Sequence, residues 1–255
     1  MIGLLAVTVA TPGCFINDLR AKNSLNQGVR DYNKGKFDEA EKKFAFAIEL
    51  DPDMPNAGMY YARSLNEQFS QSLSEEAGMK ALEAWDGLIK TSSSDHDAVD
   101  TAYAFKADIY DQLSRAVDEK KDLYKEKNRE MLLARAELPG ASQKTKADVY
   151  YTIGVGYWKE SYDMSASYTS RKLPIPQEVM DKMKPIIQRA HEYLLKTLSV
   201  DPQYADAFFY EKLVYLEELK TESNPARQKE LQAKAKEVED KYLQIQKQRQ
   251  SAPSS

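Results

Sequence analysis

Imidazole and thiol chemistry in this 255-residue chain rests on three side chains: Cys14, His96 and His191. A single cysteine excludes an intramolecular disulfide framework and a Cys₂His₂ zinc site. His96 stands in Ser92-Ser93-Ser94-Asp95-His96-Asp97, between two carboxylates. That composition suits a metal ligand or a general base, but it equally suits a polar loop closing on a helix. There Ser and Asp accept hydrogen bonds from the first free N–H groups, and a helix cap is expected. His191 precedes Glu192 in a helical stretch whose Ala190 and Leu194 face the core, so an ordinary surface or cap-side histidine is expected. The two histidines are not expected to share a site. Gly154-Val155-Gly156 lies inside a helical pattern and lacks the strand and third glycine of a dinucleotide loop, so both glycines are expected at close helix–helix contacts. No Gly-x-Ser-x-Gly elbow and no His-Glu-x-x-His helix occurs. No catalytic residue, metal or cofactor is expected.

The elements that carry these residues follow from composition and period. The length allows one or two domains. Only 10 Gly and 10 Pro are present, too few turn residues for an all-β sandwich or barrel, so the chain is expected to be all-α. Lys plus Arg is 36 and Asp plus Glu is 40, a net charge of -4 that argues against a basic nucleic-acid groove. The signs are interleaved along the helices, which is the pattern of a solvated face.

The first hairpin is the clearest. Leu25, Gly28 and Tyr32 share one helical face, Gly35-Lys36 breaks it, and Phe37, Ala40, Phe44, Ala47 and Ile48 mark a second face that Asp51-Pro52 ends. Gly28, Tyr32, Gly35, Phe37, Ala40, Phe44, Ala47 and Pro52 together resemble the tetratricopeptide repeat, a helix-turn-helix unit that occurs in stacks because one copy cannot bury its own face. Further copies are expected near 55–91, 95–138, 146–202 and 203–250, after a first unit at 21–54. Ala77, Ala81, Trp85 and Leu88 mark the second. In the third, a long helix from Arg115 to Leu138 is expected. Ile153-Gly154, Ala190, Leu194 and Pro202 mark the fourth, and Tyr204 to Phe209 opens the fifth. Two stretches depart from the pattern: a long link, QFSQSLSEE, and an insertion at 161–177. The last helix, from Pro225, carries Leu231, Ala235, Val238, Tyr242 and Ile245 as a capping seam, and 251–255 is expected to be a disordered tail.

The resemblance implies an all-α, helical-hairpin solenoid with a right-handed superhelix of about five hairpins over residues 15–250. It further implies a non-enzymatic scaffold or assembly factor that binds peptides or proteins on the concave face, lined by the first helix of each unit. Carried over, that face includes Asn26, Asn33, Met59, Tyr60, Arg63, Asn66, Tyr151, Trp158, Phe208 and Tyr215. Aromatic and Arg anchors of this kind suit protein recognition. The insertion adds Tyr168, Arg171 and Lys172 as contact candidates.

At the N-terminus MIGLLAVTVA is too short to span a membrane and fits the apolar core of a secretory signal. With Gly13-Cys14 behind it, the segment 1–14 resembles a bacterial lipoprotein signal, which implies lipidation at Cys14 and anchoring in the cell envelope facing the periplasm. Were the segment not a signal, the chain would be cytoplasmic. The alternatives are a pilotin-like or outer-membrane assembly lipoprotein, a cytoplasmic peptide-binding adaptor, and an enzyme or a non-catalytic enzyme subunit.

Overall fold

The computed structural model describes residues 12–251. The expected signal at 1–14 and lipidation at Cys14 therefore fall outside the described residues, apart from the backbone of Pro12–Cys14; so does the tail at 252–255. Among the described residues the regular structure is entirely helical: α1 (Pro12–Asn33), α2 (Phe37–Leu50), α3 (Ala57–Ser72), α4 (Glu75–Thr91), α5 (His96–Ala116), α6 (Lys121–Ala136), α7 (Gln143–Thr169), α8 (Gln177–Val200), α9 (Ala205–Thr221) and α10 (Pro225–Ser251). α1 with α2, α3 with α4, α7 with α8 and α9 with α10 pair as hairpins, the all-α helical-hairpin arrangement expected. The chain divides into two compact bodies, one ending at Met131 and one beginning at Leu132.

In the N-terminal body Gly35 makes the turn between α1 and α2 at φ +73°, in the left-handed region where a side chain is strained. Gly28 lets the two helices approach closely: a Cβ there would lie 2.6 Å from the Phe44 ring. Phe44, Ala40 and Ala47 are wholly buried. Ser74 caps α4 by accepting from the Ala77 N–H at 3.2 Å, and Asp95 caps α5 by accepting from the Ala98 N–H at 3.1 Å. The core of α3, α4 and α5 is built on Phe69, Trp85, Ile109 and Leu113.

Three expectations for this body are corrected. α1 is already helical at Pro12, well ahead of Ala21. The long link QFSQSLSEE is mostly helix, since α3 runs to Ser72 and only Leu73 and Ser74 separate it from α4. The single helix expected from Arg115 to Leu138 is instead two pieces. Arg115 lies in the last turn of α5, which ends at Ala116, a 3₁₀ turn spans Asp118–Lys120, and α6 follows. α6 is fastened by Asn128, which donates to the Ala107 carbonyl at 2.7 Å, and by buried Tyr124, whose hydroxyl bonds Glu75.

In the C-terminal body the fourth hairpin repeats the geometry of the first. A Cβ on Gly154 would lie 2.8 Å from Leu194 Cγ, and Ala190 and Leu194 are wholly buried. Gly156, expected at a similar contact, faces open space instead, because two residues along a helix turn it to the opposite side. The insertion is also corrected: α7 continues to Thr169, so the irregular stretch is only Ser170–Pro176. In α10 the seam residues Leu231, Ala235 and Ile245 are buried, and α10 packs on α9.

Candidate functional site

The densest polar constellation is centred on a residue expected to be ordinary. His191, on α8, is largely buried and reaches two carboxylates of α9. Its Nδ1 lies 2.6 Å from Glu211 Oε1 and its Nε2 lies 3.1 Å from Glu218 Oε2. Glu211 and Glu218 are seven residues apart, two turns on one face of α9, so both meet α8. Glu211 is wholly buried, and its Oε2 meets no protein donor. Arg227, from α10, donates to Glu218 at 3.0 Å. Burial, the largest single influence, pushes the imidazole pKa down. The hydrogen bond and charge of Glu211, followed by Glu218, outweigh it and hold the pKa above its ordinary value. Tyr215, whose ring lies 4.6 Å from the imidazole, is pushed up to about 12 by burial and by the Glu211 charge. With both ring nitrogens engaged by carboxylates, His191 has no free lone pair to act as a base. The cluster ties α8, α9 and α10 together.

A second constellation lies where the insertion was expected to loop out. Ser165 of α7 donates to Glu217 Oε2 at 2.9 Å and receives the Lys220 ammonium at 3.0 Å; Lys220 also donates to Glu217 Oε1 at 2.6 Å. A Ser–Lys pair suits nucleophilic catalysis only when the hydroxyl is accessible and the amine is neutral. Ser165 is wholly buried and Lys220 is ion-paired, so the trio docks the end of α7 onto α9. His96 is exposed at the start of α5, and Asp95 beside it serves the helix cap, as its loop composition predicts. Among the described residues no group of three or more His, Cys, Asp or Glu is placed to hold a metal ion.

The expected protein-binding residues lie on the first helices, which touch across neighbouring hairpins: α1 with α3 and α3 with α5 in one body, α7 with α9 in the other. On α1, Asn26 and Asn33 are exposed. On α3, the Tyr60 ring stacks on Phe44 at 5.3 Å, and Arg63 lies 5.8 Å over Phe105, which stacks on Trp85 at 4.6 Å. Asn66 is only 5% exposed and its Oδ1 has no partner, so it belongs to the interior rather than to an open face. Met59 packs on the core of α3 to α5. In the other body, Tyr151 sits between Tyr204 at 4.9 Å and Tyr210 at 5.7 Å, and burial pushes its pKa up to about 12. Trp158 stacks on Tyr162 at 5.5 Å and meets Tyr210 edge-on at 5.0 Å. Phe208 is half-buried on α9, and Tyr215 is committed to His191. Rings thus run from α1 to α3 through Tyr32 and Tyr60 and from α7 to α9 through Trp158, Tyr151 and Tyr210, each of these residues half-buried, whereas Phe44 and Trp85 lie on second helices and are wholly buried. In the former insertion, Tyr168 ends α7 half-buried, while Arg171 and Lys172 are exposed in the short loop, Lys172 at φ 57°.

No family model matches the sequence, and no curated protein matches it. Among solved structures the chain is similar to one titled "Crystal structure of MamA protein", at 17% identity and a TM-score of 0.47, over 92% of this chain and 97% of that one.

Proposed function

We propose that this chain is a non-catalytic scaffold that holds partner proteins on the first-helix faces of its hairpins. One observation carries the proposal. The first helices present half-buried rings, with Arg63 over Phe105 and with Asn26 and Asn33 exposed on α1, on elements that pack into closed cores. Rigid aromatics with a polar surround are the usual anchors of protein interfaces. The two constellations with catalytic composition, around His191 and Ser165, are engaged in helix docking and offer neither a free base nor an accessible nucleophile.

The test is affinity purification from the native source with the full chain and with Asn26→Glu plus Asn33→Glu. A partner recovered by the first and lost with the second supports the first-helix face of α1; recovery unchanged by the double substitution removes it.

The proposal extends to location. The apolar run ahead of Gly13-Cys14 supports export and acylation at Cys14, with the scaffold tethered to a membrane surface. Metabolic labelling with a fatty-acid analogue tests this. Label should be incorporated into the native chain and lost in Cys14→Ser; an unlabelled native chain would remove the anchor.

A further inference from the structure

Between α2 and α4 the N-terminal body carries a groove of about 1040 Å³ that runs over α3 and reaches the start of α5. Its floor is apolar: Ile48 from α2, Met59, Tyr61 and Leu65 from α3, and Leu88 from α4. Its rim is acidic, with Glu41, Glu83, Asp53, Asp95 and Asp97 against a single cation, Lys80. That lysine is engaged by Glu76 at 3.0 Å. Glu41 and Glu83 flank the floor from opposite helices, and their charges, after burial, push the Tyr61 hydroxyl above its ordinary pKa. The groove thus sets apolar side chains beneath a rim of five carboxylates, of which Lys80, shared between Glu76 and Glu41, offsets only part. Its volume is at the upper end of small-molecule pockets, which are mostly apolar, whereas this rim is dominated by carboxylates.

We propose that this groove is a second docking site, distinct from the α1 face that carries Asn26 and Asn33, for a basic segment of a partner protein with apolar anchors. Charge complementarity selects the occupant. Lys or Arg side chains reach the rim, while alternate or helically spaced apolar side chains fill the floor, in the manner of grooves that take an extended strand or an amphipathic helix. The rim charges act on encounter rate and partner choice, and the floor sets residence. Gly87 marks a place where the site can be closed without harming the fold. It lines the groove, is exposed, and a Cβ added there would meet nothing within 4 Å.

The experiment is fluorescence anisotropy on the full chain with a labelled peptide alternating Lys and Leu. Controls replace Lys by Glu, or Leu by Ser. The Lys–Leu peptide should bind, more weakly as salt rises. Glu41→Gln with Glu83→Gln should weaken it roughly fivefold, in line with two partly exposed ion pairs. Gly87→Tyr should abolish it with helix content unchanged by circular dichroism. Equal affinity for the Lys–Ser peptide, or for both variants, would overturn the site. Self-association abolished by Gly87→Tyr in sedimentation would overturn the partner assignment in favour of a second copy. Asn26→Glu plus Asn33→Glu should leave peptide binding intact, so this groove and the α1 face fail separately.

Discussion

An imidazole that meets a carboxylate at each nitrogen must supply two N–H donors, or one carboxylate must hold the proton. Glu211 and Glu218 together outweigh the burial that disfavours the charge of His191, which favours the imidazolium more than in a free histidine. The sign of the linkage follows. The folded pKa lies above the unfolded value of about 6.5. The stabilisation is therefore fully present below about pH 6.5 and is lost as pH rises through the folded value, at about 1.4 kcal/mol per pH unit in that window. Urea unfolding of native and His191→Gln chains should show a stability difference that shrinks as pH is raised above about 6.5. A difference that grows with pH would show that the histidine is held neutral. The Ser165 hydroxyl makes a different demand, since its removal leaves the buried Glu217 carboxylate short of one donor. Ser165→Ala should cost about 1–3 kcal/mol in the same assay, the usual penalty for an unsatisfied buried group. Neither cluster was legible in the sequence, because each joins residues on different helices: His191 to Glu211 is a separation of 20, and Ser165 to Glu217 is 52. The seven-residue spacing of Glu211 and Glu218 was the available signal, as it marks one charged face on a helix that neighbours the histidine's own.

At the scale of elements, small residues set how near two helices come. Gly28 against Phe44 and Gly154 against Leu194 are the same device in two hairpins, and both were legible because the repeat spacing names the glycine and its large partner together. Gly156 was misread, since a helical glycine shows its type in sequence but not its side. The two glycines of α7 therefore predict opposite outcomes. Gly154→Ala places a methyl against a wholly buried leucine and should destabilise by about 1–3 kcal/mol. Gly156→Ala enters open space and should stabilise by up to about 1 kcal/mol through helix propensity alone. Thermal melts of the two variants check both signs, and equal shifts would remove the contact as the cause. Element ends were legible where local chemistry decides them, as at Asp51-Pro52 or the Asp95 cap. They were not legible in QFSQS or in residues 161–169. Both runs are rich in residues of loop-like composition, and in the second the helix is held by docking onto α9 through Ser165.

Across the whole molecule, stability is built locally. Each body has its own core, Trp85 and Phe69 in one and Leu194 and Met183 in the other, and within each body the helix contacts reach no further than the next hairpin. Many of the ion pairs join residues three or four apart on exposed helix faces, such as Lys22–Asp18 and Lys241–Glu237. Such pairs contribute little each and do not bind distant elements. This is what interleaved charge and a net of -4 look like once folded. The hairpin repeat was legible at this scale because period and small-residue spacing encode it. The division near Met131 was not, since the weakly matching third unit carries no boundary signal of its own. In arrays of this kind stability is close to a sum of repeat and nearest-neighbour contributions, so damage stays near its origin. Hydrogen exchange on Gly28→Ala should therefore rise most in α1 and α2, where the added methyl meets the Phe44 ring at 2.6 Å. It should rise less in α3 and α4, and α9 and α10 should keep native rates. A uniform rise through both bodies would mean that the chain unfolds as one cooperative unit, and the local account of its stability would have to be abandoned.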